Sequence, residues 1–189
     1  MMSTAAVIER VPTADVLAGP GHQLATARLQ LRPADAGDFD YYHDLMTDPE
    51  VMKYIGIEQG KIPTNDEIRT IVSGAVTAWN IRGFGRWSVF DRETNDFVGF
   101  CGFRAEGGVP ELITVVHERF WGEGYAREAA RAVLDYGFSE LGFKVVCAFT
   151  RPAHERARLL LDKLGAEFLG YVDFHGVEGA AYRIHPGRN

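Results

Sequence analysis

"ELITVVHERFWGEGYAREAARAVLDYGF", from Glu111 to Phe138, carries the pattern on which the fold of this 189-residue chain turns. An apolar, strand-like run leads into a short stretch holding Gly122 and Gly124. Behind it Ala126, Ala129, Ala130, Val133, Leu134 and Phe138 recur at helical spacing on one face. Glycine inside a regular element costs backbone entropy, so a pair at a strand-to-helix junction implies that something comes very close to the main chain. The usual something is a phosphate, because a helix start offers free N–H groups and a favourable dipole. Small residues on the inner helix face allow close packing on a sheet.

Upstream, "LATARLQLRP" alternates as a strand closed by Pro33. Phe39, Tyr42, His43 and Met46 follow at helical spacing, with Pro49 marking the end of that helix or its turn. Ile68, Ile71, Val72, Ala75 and Trp79 form a longer stripe that Thr64 or Asn65 can cap. The runs "RWSVFDR" and "FVGFCGFRA", joined through "ETND", read as an antiparallel hairpin, with "PELITVV" as a third strand. Downstream, "KVVCAF" is an apolar strand, "HERARLLLDKLGA" a helix stopped near Gly165, and "EFLGYVDFHGVEGAAYRIH" a hairpin turning at "HGVEG". This alternation predicts an α/β fold, a mixed and mostly antiparallel sheet with helices on both faces. No internal repeat, low-complexity tract or linker interrupts it.

The length suits one domain, and 46% hydrophobic residues is ordinary for a globular chain. With 20 basic and 26 acidic residues the net charge is −6, which argues against a nucleic-acid partner. Cys101 and Cys147 both lie in apolar strand-like runs, as expected of buried reduced thiols in a cytoplasmic protein, and two isolated cysteines make no metal site. No stretch approaches a membrane span, and the opening segment is too short and interrupted in its apolar part for a signal peptide. Residues 1–21 read as a mobile leader, 22–185 as the domain and 186–189 as a tail.

The glycine pair fits neither of two familiar phosphate loops. A P-loop requires lysine and a hydroxyl residue after its second glycine, and Gly124 is followed by Tyr125 and Ala126. A dinucleotide fingerprint requires a third glycine where Arg127 stands, near a domain's first strand. What remains is Arg119, two residues, Gly122, one residue, Gly124.

On that signature the chain resembles the GNAT family of acetyl-CoA-dependent N-acetyltransferases, and more narrowly the branch that acetylates ribosomal-protein N-termini. "TARLQLRPADAGDF", "DPEVMKYIG", "FVGFCGF", the stretch from Glu111 to Phe138 and "LLLDKLGAEFLGY" carry the resemblance. It implies the GNAT fold and acetyl-CoA as cosubstrate, with coenzyme A as product. Backbone groups from Phe120, Trp121, Gly122, Glu123, Gly124, Tyr125 and Ala126 would meet the pyrophosphate, Arg119 would pair with a phosphate oxygen, and Trp121 would pack beneath the loop. Val115 and Val116 would bind the pantetheine arm through their backbone, with the Val116 N–H positioned for the oxyanion. Glu111 falls where this branch carries a general base, with a solvent-exposed strand glutamate as the plain alternative. His117 is a second base candidate.

One departure from the family pattern stands out. Where many members carry a tyrosine general acid this chain has Leu161, and where the ribosomal branch has asparagine and serine it has His154 and Ala157. His154 is then a pantetheine contact, a proton donor or a helix cap. An acyl-CoA-binding sensor with little transfer, or an interaction protein that binds no coenzyme, are the competing classes. The acceptor, a protein N-terminus or a small-molecule amine, would lie among Tyr41, Tyr54, Trp79, His175 and Glu178. The expected partners exclude nucleic acid and membrane, and the expected state is monomer or homodimer.

Overall fold

The computed structural model describes residues 2–3, 22–56, 58–106 and 108–187. Strands β1 (Met2–Ser3), β2 (Leu24–Ala25) and β3 (Leu29–Pro33) precede helices α1 (Phe39–Met46), α2 (Pro49–Met52) and α3 (Asn65–Arg82). Strands β4 (Arg86–Asp91), β5 (Phe97–Glu106) and β6 (Val109–Val116) follow, then α4 (Tyr125–Ser139), β7 (Val146–Thr150), α5 (Glu155–Lys163), β8 (Glu167–Phe174) and β9 (Val177–Ile184). The sheet runs β1-β8-β9-β7-β6-β5-β4-β3-β2 and is antiparallel except between β6 and β7 and between β1 and β8. Of the expected leader, only Met2–Ser3 lies among the described residues, and it pairs alongside Val172 and Asp173.

Local chemistry sets several boundaries. The expected single strand at 24–33 is instead a hairpin: the Thr26 N–H donates to the Leu29 carbonyl at 2.9 Å and its hydroxyl accepts from the Leu29 N–H at 2.9 Å, closing a turn inside the alternation. Pro49 opens a second short helix rather than ending the first. Asp48 caps it by accepting from the N–H of Glu50, and proline at the first helical position has no N–H to leave unpaired. Thr64 and Glu67 form a reciprocal capping box on α3, and Gly83 ends that helix at a φ of 71°. The last hairpin turns through His175 and Gly176, both at positive φ.

Alternation along β4 divides the core. Trp87 and Val89 face α4 in a cluster with Phe103, Val133, Leu134, Leu161 and Tyr182. Phe90 joins the other cluster, with Phe100 on β5 and Tyr42, Leu45, Ile68 and Val72 from the helices across from it. Arg86 and Ser88 share the strand face of Phe90 by the two-residue period. Close packing shows at Gly137, where an added Cβ would come within 2.6 Å of the Phe103 ring. Trp79 is corrected here as an acceptor-lining residue. It is 7% exposed, its indole N–H donates to the Arg86 carbonyl at 2.8 Å, and its ring meets Trp87 edge-on.

Candidate active site

Strand β6 pairs with β5 from Val109 to Val116, yet with its parallel neighbour β7 it registers only at Glu111 beside Cys147. Past that bridge the two strands share no further pairing, which leaves a gap in the hydrogen bonding in the middle of the sheet. The His117 N–H donates to the Val98 carbonyl at 2.9 Å, so by alternation the peptide groups of Val115 face β5 and those of Val116 and Thr114 face the gap. Of the two valines, Val116 is therefore the one that offers its N–H to the gap. Its carbonyl accepts from the Trp121 indole at 2.8 Å, and Trp121 packs against both core clusters, with the Arg156 guanidinium 4.3 Å above its ring.

Beyond His117 a single 3-10 turn over Glu118–Phe120 leads to Gly122 and Gly124, each at a φ of 83°. An added Cβ would meet nothing within 4 Å at Gly122, and only Arg28 at 3.5 Å at Gly124. The backbone conformation, more than crowding, demands glycine at both. Gly124 caps α4 without a side-chain bond, and the first helical bond runs from the Glu128 N–H to the Gly124 carbonyl. The N–H groups of Tyr125, Ala126 and Arg127 thus have no intrahelical partner, an arrangement suited to pyrophosphate.

The loop is held by a residue that the motif does not contain. Arg28 donates to the Glu123 carbonyl at 3.0 Å and to Glu128 through Nε at 2.7 Å, and its guanidinium lies 4.3 Å from the centre of the Tyr125 ring. The Tyr125 hydroxyl donates to Asp91 at 2.6 Å, and the Phe120 ring tilts against Tyr125. Arg119 lies elsewhere. Its side chain, 57% exposed, reaches toward Asp96 and the Phe97 carbonyl and covers Phe120. Arg28 lies close to the helix start, its Nη2 3.5 Å from where a Cβ on Gly124 would stand.

Glu111 is neither exposed nor at an edge. It is 4% exposed on a central strand, and both its oxygens accept from Arg104, at 2.8 Å each. His117 is buried against Phe97, with Asp44 3.7 Å away, and desolvation holds its imidazole below the usual range. His117 and Arg119 line a cavity of about 460 Å³ with Asp40, Tyr41, Asp44 and Asp96.

His154 begins α5 without capping it through its side chain. Its ring stacks on Tyr54, with centroids 4.6 Å apart, and burial depresses its pKa. The nearby Arg151 donates to the Gly56 carbonyl at 2.8 Å, so the α2–α3 connection is fastened to the β7–α5 loop at two points. His175 sits exposed at the tip of the β8–β9 hairpin against Phe174, which in turn stacks on Phe149. Leu161 is buried and Ala157 has no polar atom, so neither offers a proton. Both cysteines are buried thiols outside any disulfide, and burial pushes the Cys101 thiol up to about 12. Among the described residues, no group of side chains is arranged to hold a metal, and no helix is long and apolar enough to cross a membrane.

An acetyltransferase (GNAT) domain model matches residues 28–167. The chain is 30% identical over 169 residues to an uncharacterized N-acetyltransferase p20 of Bacillus licheniformis, covering 86% of this chain and 92% of that one. It is 32% identical over 155 residues to an FsC-acetyl coenzyme A-N(2)-transacetylase of Aspergillus fumigatus, covering 75% of this chain and 63% of that one. Among solved structures, a ribosomal L7/L12 alpha-N-protein acetyltransferase in complex with coenzyme A shares the fold, with a TM-score of 0.73 at 16% identity over 87% of this chain and 97% of that one.

Proposed function

The chain belongs to the GNAT family of acetyltransferases, and from that premise we propose that it moves the acetyl group of acetyl-CoA directly to a primary amine in a ternary complex. The observation that carries this reading is the gap in pairing between β6 and β7 immediately before an uncapped, glycine-started helix. The free N–H groups of Tyr125 and Ala126, with Arg28 beside them, bind the pyrophosphate. The Val116 N–H faces that gap and receives the negative charge that develops on the thioester oxygen when the amine nitrogen attacks. The carbon–sulfur bond then breaks and coenzyme A leaves.

An ammonium must lose its proton before it can attack, and Glu111 is assigned that proton, through a water because Arg104 occupies both carboxylate oxygens. His154, neutral near pH 7 by virtue of its burial, is assigned to the wall of the acceptor site with Tyr54 rather than to proton donation. The acceptor is a small-molecule amine or a protein N-terminus.

One observation favours a second reading. With Leu161 and Ala157 at the positions of the family's usual proton donors, a module that holds acyl-CoA and transfers slowly is the alternative. Release of free thiol from acetyl-CoA in the presence of pooled primary amines tests the choice. Turnover above the amine-free rate supports the transferase; tight calorimetric binding of acetyl-CoA without turnover on any amine supports the sensor.

A further inference from the structure

On the face of the sheet turned toward α1, a second guanidinium stands beside the Arg104–Glu111 pair. Arg86, opposite Gly102 in the β4–β5 register, lies on the same face as Arg104 and Glu111, which oppose each other one residue pair farther along that face. The Arg86 guanidinium sits 5.3 Å from the centre of the Phe100 ring. It is partly buried and makes no side-chain hydrogen bond to a described residue, while Glu111, the carboxylate that it senses, has both oxygens taken by Arg104. Desolvation holds the Arg86 pKa below its ordinary value.

Tyr42 adds a neighbouring donor. Its ring is fully buried and stacked on Phe100 at 5.0 Å, and its hydroxyl, which neighbours Ser88, makes no hydrogen bond of good geometry to a described residue. A buried cation and a buried hydroxyl both carry a penalty when nothing accepts from them. An anion delivered to this place would accept from both. Among the described residues the acid that bears on Tyr42 is Asp38, and it is already committed to Arg32 and to the Ser88 hydroxyl.

We propose that the acceptor amine carries a carboxylate, so that the molecule enters as an amino-acid-like zwitterion with its carboxylate on Arg86 and Tyr42 and its ammonium toward Glu111. This inference rests on the transferase reading of the same site. It gives Glu111 and Arg86 complementary tasks: one side of the floor accepts the positive end of the acceptor, the other the negative end.

The test pairs each of several L-amino acids with its own carboxamide, measuring thiol release from acetyl-CoA together with calorimetric binding to the coenzyme A-loaded protein. Loss of one charge-assisted contact predicts that the acids exceed the amides by roughly tenfold to a hundredfold in kcat/KM. Arg86→Met should abolish that preference and Arg86→Lys should retain part of it, each with unchanged acetyl-CoA affinity. Equal use of acids and amides, or a preference that survives Arg86→Met, overturns the proposal. Acids that bind in an Arg86-dependent way without being acetylated would uphold the carboxylate site while refuting the transferase reading. Acids that neither bind nor react would overturn the carboxylate site.

Discussion

Replacing Glu111 with glutamine keeps the side chain's size while removing its charge, and two separable effects should follow. The first is on stability. Glutamine retains one oxygen for Arg104 but turns an N–H₂ group toward the other guanidinium nitrogen, so a 4% exposed residue loses half of a bidentate pair. Breaking a fully buried pair costs about 3–5 kcal/mol; because the Arg104 side chain is 35% exposed and reaches water, the loss here should be about 1–3 kcal/mol. For a domain of this size that lowers the melting temperature by roughly 2–12 °C. The second effect is on rate. A positioned base contributes about 10²–10⁴-fold, so turnover at neutral pH should fall by roughly a hundredfold or more while acetyl-CoA affinity holds. The defect should shrink as pH rises toward the amine's own pKa, about 8 for an α-amine and about 10 for a lysine-like one, since solution then supplies the neutral nucleophile. Thiol release across a pH series, with calorimetry and thermal melts on the same preparations, separates these effects. Unchanged turnover at neutral pH refutes the assignment of Glu111 as base, and a defect constant across pH reassigns it to holding Arg104 and the acceptor.

Gly124→Val forces a branched residue into a left-handed backbone at about 1–2 kcal/mol, and acetyl-CoA affinity should fall without loss of the fold; a folded variant with native affinity on calorimetry removes the loop from coenzyme binding. Arg28→Ala should weaken acetyl-CoA binding roughly threefold to tenfold, and Arg119→Ala should leave it within experimental error, the reverse of what the motif alone suggests. The folded pKa values of His117 and His154 both lie below that of unfolded histidine, about 6.5, so the unfolded chain binds protons first as pH falls. Stability should therefore drop below about pH 6.5 in thermal melts, and the double variant His117→Gln, His154→Asn should flatten that decline.

What the sequence discloses is local, and what it conceals is brought together from afar. Gly122 and Gly124 are legible because backbone conformation selects glycine residue by residue, and α4 because its apolar spacing repeats within one element. Arg28 is not, since it reaches the loop from a turn at the far edge of the sheet, and only the β2–β3 hairpin, closed by one threonine, aims it there. Trp79 belongs to the same inward stripe as Ile68 and Val72, and that periodicity was the better guide to its burial than any expectation of ligand contact. The partner of Glu111 depends on register. Arg104 stands opposite it only because the β5–β6 connection is as long as it is, and a slip of one residue would put the guanidinium on the other face.

The single bridge between β6 and β7 has a mechanical consequence. The two halves of the sheet are joined there by almost no hydrogen bonding, and what spans them is the apolar layer in which Val133 and Leu134 meet Val98 and Leu112 on one side and Val146 and Tyr182 on the other. Hydrogen bonds hold each half rigid, while the halves are joined chiefly by solvent exclusion, helped at the rim by the Arg151–Gly56 hydrogen bond and the Tyr54–His154 stack. Such a seam weakens on cooling, as hydrophobic association does, whereas the ladders within each half do not depend on it in the same way. Amide protons of β7, β8 and β9 should accordingly exchange as one cooperative unit, opening at a lower free energy than those of β4, β5 and β6, and a cosubstrate laid along the gap would fasten the seam and raise the protection of both halves together.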